Sequence, residues 1–171
     1  MKIALTRKVK APVREYSSAG TDIFIPDFTQ EFVREVGNLN SDAQTMGYID
    51  TQNNFIRIHP HGRFIIPRGI KVEIKPDQVL IAFDKSGVSW GDNNTGRVLL
   101  LAKVIDDDYQ GEVFVSITNY SAYNTYLRAG QKLTQLLLMP IIKESIEFVS
   151  EDQIHLAKTD RGAGALGSSG T

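Results

Sequence analysis

The stretch that determines the fold runs from Phe64 to Phe83 and reads FIIPRGIKVEIKPDQVLIAF. It contains three short apolar runs, separated by the turn signals Pro67-Arg68-Gly69 and Lys75-Pro76-Asp77. Proline fixes φ and glycine tolerates positive φ, so both residues favour turns. Short apolar runs with tight turns between them indicate β-strands in a compact antiparallel meander or barrel.

The same rhythm of short apolar runs continues along the chain, and the sequence therefore predicts an all-β fold. The predicted strands are Phe64–Ile66, Ile70–Ile74, Val79–Phe83, Val98–Val104, Glu112–Asn119, Leu133–Met139 and Ser145–Val149. We divide the chain into a β-barrel domain over residues 1–160 and a flexible, glycine-rich C-terminal arm over residues 161–171.

Residues 27–54 interrupt the strand pattern and are interpreted as an insertion that contains a short helix. Asp27 is predicted to be the N-cap of this helix, with Gln30 at the capping-box position. The apolar face of the helix is formed by Phe28, Phe32 and Val36. Gly37 is predicted to end the helix, and the polar stretch 38–54 to be a surface loop.

Composition excludes several classes of protein. The chain has 171 residues, of which 42% are hydrophobic, and this suits one domain with a substantial core. A net charge of −1 argues against nucleic-acid binding. Cysteine is absent, and the apolar runs are shorter than the roughly 20 residues that span a bilayer. We expect a soluble protein without membrane partners, located in the cytoplasm, or in the host cytoplasm if the chain is viral.

Five clusters of residues carry possible chemistry: Ala19–Ile23, Asp84–Gly87, Val104–Gly111, Gly130–Leu136 and Arg161–Thr171. The first two combine a glycine with charged or hydroxyl side chains, as in phosphate sites, although ordinary turns have the same composition. In the fourth, an amide side chain interrupts an apolar strand, where a satisfied buried glutamine is the simpler interpretation.

The third and fifth clusters are more specific. Three consecutive carboxylates, Asp106 to Asp108, stand between apolar runs, which predicts the tip of a β-hairpin. A carboxylate at a strand end can act as a base or face a metal ion. The arm after residue 160 offers glycine N–H groups, hydroxyls and one arginine, which suit a lid that closes over a polyphosphate.

Taken in order, these five clusters resemble the trimeric dUTPases (deoxyuridine triphosphate nucleotidohydrolases). The resemblance extends over almost the whole chain and implies a jelly-roll-like β-barrel that forms a homotrimer with shared active sites. It also implies that dUTP and water give dUMP and pyrophosphate, with Mg²⁺ bound to the triphosphate. Such an enzyme keeps uracil out of DNA.

The resemblance assigns a role to each matching residue. Asp106 falls on the general base, and Tyr109 on the aromatic residue that lies against the deoxyribose. Asp22 falls on a carboxylate that supports the magnesium site through water in that family. The substrate-binding positions are Lys85, Ser86, Gly87, Leu100, Val104, Ile105 and Gln135, together with Arg161, Leu166, Gly167, Ser168 and Ser169 of the arm.

Some of these positions depart from the family pattern. Lys85 stands where arginine is usual, so the charge remains but the bidentate fork is lost. Leu166 replaces a phenylalanine that stacks on uracil. Leu100 and Lys103 replace an asparagine and a glycine of the base pocket. These changes leave the phosphate chemistry intact and are expected to weaken discrimination between bases.

Three alternative functions are open to a chain with these motifs. A dCTP deaminase shares the fold, but it carries a catalytic glutamate ten residues after the aspartate, where this chain has Ser116. Action on another pyrimidine deoxynucleotide, such as dCTP, stays an alternative at the base pocket. A nucleotide-dependent binding or regulatory protein is the other alternative, because a retained base is necessary for turnover but not sufficient.

Overall fold

The computed structural model describes residues 1–42, 46–91, 97–101, 103–155, 157–160 and 162–163. The strands are β1 (Lys2–Leu5), β2 (Thr21–Phe24), β3 (Gly47–Asp50), β4 (Phe55–Ile58), β5 (Arg63–Pro67), β6 (Ile70–Glu73), β7 (Gln78–Asp84), β8 (Val98–Leu100), β9 (Val104–Ile105), β10 (Phe114–Asn119), β11 (Thr125–Arg128) and β12 (Lys132–Pro140). The helices are α1 (Gln30–Leu39), α2 (Ser86–Ser89) and a 3₁₀ turn at Glu151–Gln153. The predicted all-β class is confirmed. No helix within the described ranges is both long enough and apolar enough to cross a membrane.

The strands form small antiparallel sheets in which neighbours in sequence rarely pair. The sheets have the strand orders β1-β6, β5-β10-β8, β11-β4-β3 and β2-β12-β7-β9. Strands β5, β6 and β7 lie in three different sheets, so of the two predicted arrangements, meander or barrel, the meander is wrong. The tight turns between them transfer the chain from one sheet to the next, as in a jelly roll or barrel.

The core lies between the sheets and is built by period-2 alternation along the strands. In β5 and β7 the buried side chains are mainly aliphatic or aromatic, including Phe64, Ile66 and Leu80. One charged side chain shares this interior. Arg68 is fully buried and donates to the carbonyl of Ile23 at 3.0 Å, and burial lowers the pKa of its guanidinium to about 9.

Helix α1 confirms the predicted apolar face but not the predicted ends. Phe32 and Val36 are buried, and Phe28 stacks on Phe32 with ring centroids 5.8 Å apart. The N-cap is Thr29, whose side chain accepts from the N–H of Phe32, whereas the side chain of Asp27 pairs with Lys8. Asp27 as N-cap was therefore a wrong prediction.

The C-terminal end of α1 lies at Leu39, because Asn40 and not Gly37 supplies the capping interactions. The Asn40 amide donates to the carbonyls of Val36 and Ile65, each at 2.8 Å. Its oxygen accepts from the N–H of Ile65 at 2.8 Å. One side chain therefore ends the helix and fastens it to β5.

Three further predictions need correction. The polar stretch 38–54 is not all loop, since β3 pairs with β4 across a turn in which Asp50 accepts from the N–H groups of Gln52 and Asn53. The predicted strand Val98–Val104 is interrupted between β8 and β9. Ser145–Val149 is not a strand, because within one chain it has no partner strand, and Ile146 and Phe148 are largely exposed.

Replacing Asn40 with alanine is expected to destabilise the fold by about 1–3 kcal/mol, because the backbone of Ile65 loses both of its bonds to the side chain. Urea unfolding followed by circular dichroism measures the change. The matched control is Asn38→Ala, an exposed asparagine of the same helix, which should shift the free energy of unfolding by less than about 0.5 kcal/mol. Equal effects of the two substitutions would contradict the assigned role.

Candidate active site

A buried carboxylate held by two lysines forms the first part of the site. Asp22 lies on β2 opposite Gln135 of β12. Lys85 donates to its Oδ1 at 2.5 Å, and Lys132 pairs with its Oδ2 at 3.0 Å. We call Asp22, Lys85, Lys132 and Gln135 the Asp22 cluster. Lys132 also pairs with the exposed Glu15 at 2.8 Å, which offsets its charge, and the two ammonium groups are the donors that suit an anionic ligand.

The lysines determine the protonation state of Asp22. Burial alone would raise the pKa of this carboxyl, but hydrogen bonds and charge from Lys85 and Lys132 outweigh burial and lower the pKa. The side chain of Asp22 is 12% exposed, whereas those of the lysines are 26% and 30% exposed. A ligand from solvent therefore meets the ammonium groups before it meets the carboxylate.

Asp84, at the end of β7, organises the surroundings of the Asp22 cluster. Its carboxylate accepts from the N–H of Leu100 at 2.8 Å and from Nζ of Lys103 at 3.3 Å. Its carbonyl accepts from the side-chain amide of Gln135 at 3.1 Å. The side chain of Leu100 is buried, so it is the backbone N–H of this residue that contacts Asp84 beside the Asp22 cluster.

The chain turns into α2 directly beside the Asp22 cluster. Lys85 has an extended backbone and precedes the single helical turn, on which Ser86 and Gly87 are exposed. The close approach of β2 to Gln135 requires a glycine, since a Cβ at Gly20 would lie 2.5 Å from Oε1 of Gln135. The predicted phosphate residues of clusters one, two and four are therefore brought together.

The turn after β9 forms the second part of the site. We call residues 106–109 the catalytic turn, after the role predicted for Asp106 from the sequence; the N–H of Tyr109 donates to the carbonyl of Asp106 at 3.3 Å. The Asp106 side chain is exposed and has no hydrogen-bond donor among the described residues. It lines a cavity of about 180 Å³ together with Val104, Ile105, Tyr109, Val113 and Phe114.

The predicted hairpin is wrong in its strand pairing, although the residues at its tip do lie together. Strand β9 pairs with β7, whereas β10 pairs with β5 and β8, so the catalytic turn links two sheets. The ring of Tyr109 folds back so that its hydroxyl donates to the carbonyl of Glu112 at 2.7 Å. A side chain at Gly111 would collide with this phenol, which explains the glycine.

The two parts of the site lie at opposite ends of β7. Leu80 is opposite Ile105, the residue before Asp106, and Lys85 lies five residues further along. At about 3.4 Å per residue, the two parts are separated by about 17 Å of strand. A general base must come within about 3 Å of the proton that it removes. The two parts of one chain therefore cannot serve the same reacting phosphate.

Five predicted site residues lie outside the described residues: Arg161, Leu166, Gly167, Ser168 and Ser169. Their roles stay predictions. The structure adds two residues that the sequence reasoning missed, Asp84 and Lys132. Asp84 opens the second cluster in the sequence, but its contacts with Leu100 and Gln135 depend on strand pairing between distant parts of the chain. Lys132 reaches Asp22 because the register of β12 shifts between Lys132 and Thr134, which brings it to the same face as Gln135.

The fold is an antiparallel β-barrel, and its candidate site brings together ammonium, hydroxyl and amide groups of the kind that suit a phosphorylated ligand. The dUTPase family model matches residues 52–170. A deoxyuridine 5'-triphosphate nucleotidohydrolase from Pseudomonas fluorescens is 35% identical over 154 residues, covering 89% of this chain and 91% of that protein. The chain belongs to the dUTPase family.

Solved structures have the same fold. The dUTPase of Staphylococcus bacteriophage 80alpha with dUPNHPP matches with a TM-score of 0.72 at 18% identity, covering 99% of this chain and 98% of that one. A variant dUTPase from phage phi11 of S. aureus, described with a structural Mg(II) ion, matches with a TM-score of 0.64 at 18% identity, covering 88% and 96%. At these identities the similarity supports the fold alone.

Asp22 predicts a dependence of stability on pH. Because its pKa is lowered in the folded chain, the ionised carboxylate stabilises the fold above the unfolded-state pKa of about 3.9, and this contribution is lost as the pH falls through the folded-state pKa. The difference in free energy of unfolding between wild type and Asp22→Asn should therefore be largest near neutral pH and shrink below about pH 4. Urea unfolding between pH 7 and pH 3 measures it. A difference that stays constant over this range would contradict the assignment.

Proposed function

We propose that this chain hydrolyses dUTP to dUMP and pyrophosphate, with Asp106 as the general base for the water that attacks the α-phosphorus. The observation that carries this proposal is the exposed Asp106 carboxylate beside Tyr109, in a chain of the dUTPase family. A carboxylate free of lysine partners can accept a proton as the new P–O bond forms.

Recognition of the base fits the backbone of β9. This strand lies at the edge of its sheet, so the N–H and C=O groups that point away from β7 are unpaired within that sheet. Uracil offers both donors and acceptors on one edge, and backbone groups of Val104 and Ile105 suit both. The ring of Tyr109, held by Glu112 and Gly111, is in a position to lie against a deoxyribose and to exclude a 2′-hydroxyl.

Binding of the phosphates fits the Asp22 cluster and α2. The ammonium groups of Lys85 and Lys132 supply charge, while Ser86, Gly87 and Gln135 supply hydroxyl, backbone and amide donors. The backbone N–H of Leu100 donates to the Asp84 carboxylate, and this bond holds Leu100 beside the phosphate-binding groups. Arg161 and residues 166–169 of the arm would close over the same phosphates, with the arginine as a bidentate clamp.

Magnesium fits this site as an ion held mainly by the substrate. No group of three or more potential metal-ligating side chains occurs in the described part of the chain. Mg²⁺ retains several waters, and Asp22 would support such an ion through water, because Lys85 and Lys132 already hold both of its oxygens. When bound, the ion would neutralise charge on the triphosphate.

The division of the site along β7 supports an assembly in which each active site combines parts of different chains. A cavity of about 180 Å³ beside Asp106 is smaller than the 300–1,000 Å³ typical of ligand sites, which favours its completion by a neighbouring chain. The extended segment after β12 leaves Ile142, Ile146 and Phe148 almost fully exposed. Apolar exposure of this extent favours a subunit contact, and we propose the homotrimer of the family.

Asp106→Asn is expected to lower turnover of dUTP by about 10²–10⁴-fold, because the amide keeps the shape but cannot accept a proton. Affinity for the imido analogue dUPNHPP should be almost unchanged. Pyrophosphate release and calorimetric titration measure the two quantities.

The matched control is Asp27→Asn, an aspartate that pairs with Lys8 and has no assigned role in the site. Its turnover should equal that of the wild type.

Comparing dUTP, dCTP, dTTP and UTP as substrates tests specificity, and dUTP is expected to be preferred. Wild-type turnover by Asp106→Asn would contradict the role of Asp106 as general base. Rapid hydrolysis of UTP would contradict the role of Tyr109 in excluding a 2′-hydroxyl.

The assembly prediction concerns Phe148. Light scattering of the wild type at micromolar concentration should give three times 19.0 kDa. Phe148→Asp should shift the mass towards 19.0 kDa without loss of β-structure, because this ring is 94% exposed in the single chain and contributes little to its core. The control Glu147→Ala, on the opposite side of the same extended segment, should stay trimeric. A monomeric wild type would contradict the assembly.

A further inference from the structure

The catalytic turn contains a second aspartate whose environment is opposite to that of Asp106. The side chain of Asp107 is 13% exposed, and both of its oxygens accept from Nζ of Lys143, at 2.7 and 2.6 Å. Its Oδ2 also accepts from the N–H of Asp77 at 3.1 Å. The hydrogen bond from Lys143 lowers the pKa of the Asp107 carboxyl and so keeps it ionised.

This carboxylate joins three segments that are distant in sequence. Asp77 lies in the turn between β6 and β7, and its carbonyl accepts from the N–H of Ile141 at 2.9 Å, just after β12 ends at Pro140. Lys143 lies two residues beyond Ile141. The backbone of Asp77 is therefore bonded on one side to the catalytic turn and on the other to the start of the C-terminal segment.

The arrangement fixes the direction in which Asp106 points. Asp107 follows Asp106 in the turn closed by the bond from the N–H of Tyr109 to the carbonyl of Asp106, so anchoring Asp107 to Lys143 and Asp77 fixes the backbone that carries Asp106 to the cavity beside Tyr109. The lysine also offsets one charge of three consecutive carboxylates, which otherwise repel one another.

We propose that Asp107 and Lys143 are positioning residues for the hydrolysis, which together hold the catalytic turn so that Asp106 meets the attacking water. The proposal rests on the proposed function, because it assigns no chemistry to Asp107 itself. A shift of a catalytic group by about 1 Å can cost as much as 10²-fold in rate, so an anchor of this kind has a kinetic effect without touching the substrate.

The experiment compares Asp107→Asn, Lys143→Met and the double variant, as assembled enzymes with dUTP and magnesium. Each single variant should lower kcat by about 10-fold while KM and the Kd for dUPNHPP change by less than about 2-fold, because the Tyr109 ring is held separately by Glu112 and the phosphate-binding groups are untouched. The double variant should be no slower than the slower single variant, since both changes break one contact. Lys143→Arg should retain most of the wild-type kcat that Lys143→Met loses, because a guanidinium also pairs with both oxygens of a carboxylate.

The matched control is the Lys8–Asp27 ion pair, 2.8 Å long, whose variants Lys8→Met and Asp27→Asn should leave kcat unchanged. Wild-type kcat in both Asp107→Asn and Lys143→Met would overturn the inference. So would a loss that Lys143→Arg does not rescue, or one that appears in KM alone. Lys143 is 49% exposed on its side chain, so Lys143→Met should fold, and melting and light scattering verify this.

Measuring Asp106→Asn alongside separates the two proposals. If Asp106→Asn turns over normally, the proposed function fails. If Asp106→Asn is inactive and the Asp107 and Lys143 variants behave as wild type, only the positioning role fails.

Discussion

Strand β7 is hydrogen-bonded along both edges, to β12 on one side and to β9 on the other, and the geometry of the site depends on this constraint. Leu80 and Ala82 are buried in the core, so a shift of β7 by one residue would turn these side chains to the wrong face. The register is therefore fixed. With it, the distance between the Asp22 cluster at one end of the strand and the catalytic turn at the other is fixed as well.

The aspartates show how lysine placement gives chemically identical groups different environments. Asp22 and Asp107 each accept from lysine and are held ionised by that contact. Asp106 has no such partner within the described residues and faces solvent. The paired carboxylates arrange backbone and charge, while the unpaired one is left available for proton transfer. Composition alone cannot make this distinction, because the three consecutive aspartates look alike in sequence.

Local patterns predicted much of this molecule. The strands β5, β6, β7, β10 and β12 follow from period-2 alternation between turn residues, and the catalytic turn follows from charged residues between apolar runs. Pairing could not be predicted, since whether β9 meets β7 or β10 depends on contacts far apart in sequence. The shift in β12 that brings Lys132 to Asp22 leaves no mark in the sequence. Strand β3 was missed because its sequence is polar around a short apolar centre.

Placing the two parts of the site at opposite ends of β7 has a consequence for mixtures of defective chains. In the proposed trimer, a chain that lacks Asp106 still contributes an intact Asp22 cluster to a different active site. A chain that lacks Lys85 likewise contributes an intact catalytic turn. Two variants that are each inactive can thus complement one another after subunit exchange, because some sites in a mixed trimer combine an intact Asp22 cluster from one chain with an intact catalytic turn from another. Activity in such a protein is therefore a property of the assembled trimer and not of any single chain.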